Sequence, residues 1–362
     1  MINPSPGARA LTVLVIDDSA VNRMSIARLL ESAQGLEVID RAADGEEGLK
    51  KAIALRPDVI TLDLEMPKLD GYSFLRLLMA SAPTPVIVLS AYNHPSDVFK
   101  ALELGAFDFV AKPATGDRYS LAAVGAELIE KVRSARLARR DPSKPKTSRA
   151  RVAAFDAVDE KHKDPLTIIG IGASTGGPPA IERVLEGLAG LRVCVLVAQH
   201  MPTRFTEAFA QRLDATLSFR VTEARSGALL AHPHVYIAPG GTQLEVVEFN
   251  GKRSLNVTPA TGRDLHAPSV DRLFTSLART VGASAKALVL TGMGDDGAVG
   301  VRALGAVGAE VWAEAESSAV VFGMPQAALD TGHVTHCLPL TQLVASLANA
   351  VGPPSQKTRR RT

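Results

Sequence analysis

Thr167-Ile168-Ile169-Gly170-Ile171-Gly172-Ala173-Ser174-Thr175-Gly176-Gly177-Pro178-Pro179 is the stretch whose reading decides the fold. Its apolar run, Leu166–Ile171, has strand length and no polar alternation, so it reads as a strand buried on both faces. Glycines around Ser174 permit a sharp strand-to-helix turn that lifts the hydroxyl out of the sheet. Pro178-Pro179 suits a first helical turn, where a missing N–H costs nothing. A strand turning directly into a helix is the unit of a parallel, doubly wound sheet.

The same pattern recurs in both directions. Downstream, Val193–Ala198, Val235–Ala238, Ala287–Leu290 and Glu310–Ala313 read as strands. Leu217 to Pro259 is β-rich, with turns at Pro239-Gly240-Gly241 and Asn250-Gly251. Upstream, Leu11–Ile16, Leu36–Ile39, Val59–Leu62, Pro85–Leu89 and Phe107–Val110 alternate with segments of helical period such as Val21–Leu30 and Tyr72–Leu78. At 362 residues two domains are expected. The texture breaks near Ser134, where Arg136-Leu137-Ala138-Arg139-Arg140-Asp141-Pro142 opens a polar, basic stretch that reaches Asp164. The predicted division is a domain at 10–132, a linker at 133–164, a second domain at 165–350 and a disordered basic tail at 351–362 ending in Arg359-Arg360-Arg361. The fold class is α/β, with two doubly wound parallel-sheet domains. There is no internal repeat.

Bulk composition excludes several classes. Hydrophobic residues are 46% of the chain and aromatics only 4%, which predicts aliphatic cores. A net charge of +2 gives no general attraction to nucleic acid or a membrane surface. The basic linker and tail lack interleaved aromatics, so they read as solvated charge rather than a nucleic-acid site. No stretch approaches the roughly 20 apolar residues of a bilayer span. Met1 to Ala10 lacks the basic start and apolar run of a signal peptide. Cys194 and Cys337 sit in apolar segments without metal-type spacing and are expected as buried free thiols in a reducing cytoplasm.

Chemistry-bearing residues fall at the strand ends, where doubly wound sheets bind ligands. Ser174 follows the first strand of the second domain. His200, 26 residues later in Ala198-Gln199-His200-Met201-Pro202, follows the next. Asp295-Asp296 lies in the glycine-rich loop Thr291-Gly292-Met293-Gly294-Asp295-Asp296-Gly297. A histidine can take the serine proton, and an acid can orient the imidazole. Backbone N–H groups of the Gly-Met-Gly turn can bind an oxyanion. Spacing does not choose between the two aspartates. A nucleotide-binding loop is disfavoured, because Thr175 breaks the G-x-G-x-x-G pattern and the second strand ends in Gln199-His200 rather than an acid for a ribose. The order Ser, His, Asp also differs from that of α/β-hydrolases.

In the first domain, Asp17, Asp18 and Asp63 converge at strand ends, and three carboxylates there call for a hard divalent cation such as Mg²⁺. Ser90 and Lys112 end the fourth and fifth strands and can bind the oxygens of a phosphoryl group carried by an aspartate.

Two resemblances follow from these residues. Residues 10–132 resemble the receiver domain of two-component response regulators, a flavodoxin-like fold, through Val15-Ile16-Asp17-Asp18-Ser19, Leu62-Asp63-Leu64-Glu65-Met66-Pro67, Asp70-Gly71 and Lys112-Pro113. The resemblance implies phosphorylation at Asp63 and Mg²⁺ held by Asp17, Asp18, Asp63 and the backbone carbonyl of Glu65. It also implies sensing of the phosphate by Ser90, Lys112 and the switch aromatic Phe109. Ala91-Tyr92-Asn93-His94 has no close match. Residues 166–348 resemble the catalytic domain of chemotaxis protein-glutamate methylesterases, the CheB family, a Rossmann-like three-layer fold. Beyond the three catalytic strings, Ile237-Ala238-Pro239-Gly240, Pro268-Ser269-Val270-Asp271 and Val321-Phe322-Gly323-Met324-Pro325 carry the likeness. This implies Ser174 as nucleophile, His200 as base, Asp296 as the third member, and Thr175 and the Met293 backbone shaping the site. Glu314 stands where glutamine is expected, and Arg263-Asp264-Leu265-His266 departs from the pattern.

The expected function is a phosphorylation-activated serine hydrolase of glutamate γ-methyl esters, also deamidating glutamines, on methylated chemoreceptors. Its phosphodonor would be a chemotaxis histidine kinase, and its esterase site needs no cofactor. The resemblance implies that the unphosphorylated receiver covers the active site. Expected location is cytoplasmic, without membrane insertion or nucleic-acid binding. Two other readings compete: a receiver-controlled binding module without catalysis, and a nucleotide-dependent oxidoreductase.

Overall fold

Strand and helix alternate from Leu11 because most central strands are short apolar runs, such as VITLD, VIVLS and VCVLVAQ, and four helices open on a Ser or Asp side chain that caps them. The computed structural model describes residues 9–90, 95–112, 120–136 and 167–352. Most of the predicted linker, the tail from 353, the string Ala91-Tyr92-Asn93-His94 and Pro113 lie outside the described residues. The chain divides into two compact units, 1–146 and 147–362.

In the first unit β1 (Leu11–Ile16), α1 (Ala20–Glu31), β2 (Leu36–Ala42), α2 (Gly45–Leu55), β3 (Val59–Asp63), α3 (Gly71–Ser81), β4 (Val86–Ser90), α4 (Pro95–Glu103), β5 (Asp108–Ala111) and α5 (Ser120–Ala135) follow one another. The sheet runs β2-β1-β3-β4-β5 with every pairing parallel. The order reverses between β1 and β3, which makes their carboxyl ends the switch point of the sheet. Three side-chain caps start helices beside it: Ser19 accepts the Asn22 N–H, Asp44 that of Glu47, and Asp70 that of Ser73. Each such cap contributes about 1 kcal/mol.

The second unit contains β6 (Thr167–Ala173), α6 (Gly177–Gly187), β7 (Val193–Gln199), α7 (Phe205–Thr216), β8 (Arg220–Glu223), β9 (His234–Ile237), β10 (Thr242–Phe249), β11 (Lys252–Pro259), α8 (Val270–Thr280), β12 (Lys286–Val289), α9 (Ala298–Ala306), β13 (Glu310–Glu314), α10 (Gly323–Leu329), β14 (His336–Leu338) and α11 (Leu340–Val351). Seven parallel strands run β14-β13-β12-β6-β7-β9-β8. The switch point here lies between β6 and β12. Helix α8 buries Val270, Leu273, Phe274 and Leu277 against the sheet, each such side chain contributing about 1.5–3 kcal/mol. Its first turn comes very close to β6: a Cβ on Gly172 would sit 2.3 Å from Val270 Cγ1. Glycine at 172 is therefore the condition for placing that helix end at the switch point.

The β-rich middle resolves into β8, β9 and an antiparallel hairpin of β10 and β11. Asn250-Gly251 makes its two-residue turn, both with positive φ (50° and 71°), as a type I′ turn requires. β1 has the bounds read from the sequence, and the other strand ends agree with that reading or differ by up to three residues. Edge strand β14 escaped it, because three partly exposed residues leave no apolar run. The same edge position corrects one expectation. Cys194 is buried on β7, with its thiol pushed up to about 12 by burial, but Cys337 on β14 is exposed. Among the described residues no helix is long and apolar enough to cross a membrane.

Candidate functional site

β6 and β7 pair in register, Ala173 beside Gln199, so Ser174 and His200 leave the sheet side by side. The His200 N–H donates to the Ala173 carbonyl at 3.0 Å. On the other flank the loop after β12 closes in: the Ser174 N–H donates to the Thr291 carbonyl at 3.0 Å. A Cβ on Gly292 would stand 2.8 Å from Ser174 Cβ, so only glycine lets the loop come this near.

Asp296 reaches across to the histidine, its Oδ2 2.8 Å from His200 Nε2. The carboxylate is 5% exposed and cradled by the start of α8. Oδ2 accepts the Val270 N–H at 2.7 Å, and Oδ1 accepts the Ser269 hydroxyl at 3.0 Å and the Asp271 N–H at 2.9 Å. Burial alone would raise this carboxyl. The His200 hydrogen bond and charge, with the two backbone donors, outweigh burial and hold it at about 2. Asp295 is exposed, and its backbone carbonyl accepts the Ala298 N–H at 3.0 Å. The helix terminus, not sequence spacing, distinguishes the two aspartates.

With Nε2 on Asp296, Nδ1 is the ring nitrogen left to face other partners. No hydrogen bond joins Ser174 Oγ to His200 among the described residues; such contacts are often long in unliganded sites. The N–H groups of Thr175 and Met293 have no backbone acceptor among the described residues. Glu314, 1% exposed, accepts the Thr291 N–H at 3.0 Å and the Ser318 hydroxyl at 2.9 Å. The unexpected carboxylate thus props the loop that carries Met293.

Three contributors were missed by the sequence reading. Gln199 donates its amide to the carbonyls of Ser174 (2.9 Å) and His200 (3.1 Å), tying the two backbones together. Ser269 caps α8 and binds Asp296. His266 stacks on His200. Ser269 alone had a local signal, a serine directly ahead of an amphipathic helix. His200, His266 and Asp296 lie close enough to suggest a metal cluster. Yet both Asp296 oxygens are already engaged, and stacked parallel rings do not converge their lone pairs on one point. Within the trio, His200 is hydrogen-bonded to Asp296 and stacked on His266.

The first unit gathers a different chemistry. Ligand oxygens of Asp17, Asp18 and Asp63 lie within 4.8 Å of one another at the ends of β1 and β3. Lys112, just past β5, pairs with Asp63 and lies 3.0 Å from Asp17 Oδ2. Burial would lower this ammonium, but the charges of Asp63 and Asp17 outweigh burial and hold it above the usual lysine range. Asp17 is fully buried; burial raises its carboxyl despite Lys112. Its Oδ2 has that ammonium near but no aligned donor. A buried carboxylate oxygen without a donor, facing two further carboxylates, fits a hard divalent cation. A cavity of about 160 Å³ opens here, lined by Asp18, Asp63, Leu64, Glu65, Ser90, Asp97 and Lys112. Asp97, in the first turn of α4, was not foreseen. Phe109 is buried on β5, with Lys131 Nζ 5.1 Å from its ring centre.

Residues 169–347 match the family model for CheB methylesterase, and residues 13–123 match that for the response regulator receiver domain. A Myxococcus xanthus protein named protein-glutamate methylesterase/protein-glutamine glutaminase 1 is 55% identical over 339 residues, covering 93% of this chain and 96% of that protein. A relative from Anaeromyxobacter dehalogenans, protein-glutamate methylesterase/protein-glutamine glutaminase 6, is 49% identical, covering 94% and 95%. The crystal structure of the Thermotoga maritima CheB methylesterase catalytic domain is 33% identical with a TM-score of 0.50, covering 52% of this chain and 100% of that one.

Proposed function

The chain belongs to the CheB methylesterase family, with a receiver domain ahead of the catalytic one, and from that premise we propose how its two sites act. It is a protein-glutamate methylesterase and protein-glutamine glutaminase of sensory adaptation; the relatives' names speak against a purely non-catalytic module. The substrate is a glutamate γ-methyl ester on a methylated chemoreceptor.

One observation carries the assignment of roles: His200, held on Asp296, leaves the sheet beside Ser174. His200 Nδ1 takes the Ser174 proton as Oγ attacks the γ-carbonyl. The Thr175 and Met293 N–H groups receive the oxyanion. Collapse breaks the ester bond, and the His200 proton leaves with methoxide as methanol. Water then gives a proton to His200 and attacks the acyl-serine, freeing glutamate and restoring Ser174. A glutamine substrate follows the same course with ammonia as the leaving group. Asp296 stays ionised throughout and stabilises the imidazolium.

In the receiver, Asp63 takes the phosphoryl group from a phosphohistidine of a chemotaxis kinase. Asp17, Asp18, Asp63 and the Glu65 carbonyl would hold Mg²⁺, which when bound supplies charge neutralisation for the phosphoryl oxygens. Lys112 gives up its pairing with Asp63 to bind a phosphoryl oxygen, Ser90 binds another, and Phe109 responds. Phosphorylation shifts the chain toward a form in which substrate reaches Ser174. A serine-reactive fluorophosphonate probe tests the assignment. It should label Ser174 in wild type and nothing in Ser174→Ala; labelling of another residue, or none, contradicts it.

A further inference from the structure

One ring at the active site has no part in the triad. The His266 imidazole lies flat on that of His200, centres 4.3 Å apart and planes 4° from parallel. Its loop is fixed from below. Buried Gln243 donates to the His266 carbonyl at 2.7 Å and accepts the Ser269 N–H at 2.9 Å, and the Ser269 hydroxyl binds Asp296. One buried amide thereby sets the stacking ring and the cradle of the acid against each other.

A single hydrogen bond to Asp296 fixes the direction of the His200 ring but not its rotation about that bond. Contact with a flat face removes that rotation. Resting on the Ser174-His200-Asp296 reading, we propose that His266 is a positioning residue for ester hydrolysis, its ring face holding the plane of the His200 imidazole and stabilising the imidazolium formed when Ser174 gives up its proton. A neutral π face attracts a cation, whereas a second cation at this separation repels it. Neutrality of His266 is therefore part of the role. Burial first, and the charge His200 can carry second, hold its imidazole below the usual histidine range, against the pull of Asp296 and Asp295. Arg263 and Asp264 on its own loop, Asp271 on α8 and Arg302 on α9 line the cleft beside it.

The test uses the full chain with phosphodonor present, measuring kcat and KM for methanol release from methylated receptor membranes between about pH 5 and 9. Wild type, Ser174→Ala, His266→Phe, His266→Ala and His266→Arg are compared, with melting temperatures. Phenylalanine keeps a flat neutral face and should hold kcat within about threefold of wild type. Alanine removes the face and should lower kcat about tenfold or more with KM changed less than about twofold. Arginine stacks a permanent planar cation. It should lower kcat and move the acid limb to lower pH, because a fixed charge opposes protonation of the base. An alanine variant with wild-type kcat and acid limb overturns the inference, as does a folded phenylalanine variant as slow as alanine. If the alanine variant melts early, an arginine variant with an unmoved acid limb overturns it. Absence of Ser174-dependent release in wild type overturns the esterase reading itself, and this inference with it.

Discussion

Asp296 gathers three donors besides His200, and two of them are N–H groups of the first turn of α8. An amide there would lose the charge that stabilises the imidazolium and set its own NH₂ against those donors. Asp296→Asn should lower kcat on the order of 10⁴-fold with little change in KM, read by steady-state methanol release. The depressed carboxyl also sets an acid limit. Its folded value of about 2 lies below the ordinary 3.8, so its stabilisation, roughly 2 kcal/mol, is present above pH 3.8 and disappears as pH falls through about 2. At this scale the sequence was legible wherever a residue's placement follows from a strand end: Ser174, His200, Asp17, Asp63. Spacing alone did not separate Asp295 from Asp296, which only the family resemblance distinguished, because the donors that make the difference come from residues 25–27 positions earlier in the chain. Gln199 and His266 were invisible for the same reason, since stacking and amide bridges leave no periodic trace.

At the scale of elements, β6 and α8 are coupled through a missing side chain. Gly172→Ala would put a methyl 2.3 Å from Val270 Cγ1, and Val270 donates its N–H to Asp296. Overpacking of this kind costs about 1–3 kcal/mol. The variant should melt earlier and also lose kcat, because the helix end cannot move without carrying the cradle of the acid; an early-melting variant with unchanged kcat would refute that coupling. A second prediction concerns β9 near the sheet edge. His234 stacks on Tyr236 at 4.1 Å and meets the Thr222 hydroxyl at 2.9 Å. Burial, and then the charge of Arg220, press its imidazole down to about 4 from 6.5. The unfolded chain therefore binds the proton first, and stability present above pH 6.5 is lost as pH falls toward 4. Thermal melts of wild type and His234→Phe should show the smaller acid loss in the variant; equal losses would rule His234 out as the source. The sequence conveyed these elements through apolar runs, and lost β14 because a short edge strand has none.

One chain carries both an acidic, lysine-bridged pocket and a serine site, and 93–94% of it is matched by relatives named as methylesterase and glutaminase. The order of the motifs made the two-domain plan legible, because each domain is a run of strand-end strings. The coupling between the domains is not written in either set of strings. A fragment of residues 165–350, the unit with its own seven-stranded sheet, should hydrolyse receptor methyl esters at least as fast as the unphosphorylated whole protein; slower hydrolysis would count against restraint by the receiver. The most direct measurement is methanol release from methylated chemoreceptor membranes by wild type, Ser174→Ala and Asp63→Asn, with and without a small-molecule phosphodonor and Mg²⁺. Release by wild type should rise with phosphodonor only when Mg²⁺ is present, stay at its basal rate in Asp63→Asn, and vanish in Ser174→Ala. Release that persists without Ser174, or a wild type that is phosphorylated at Asp63 yet releases no methanol, would contradict the account.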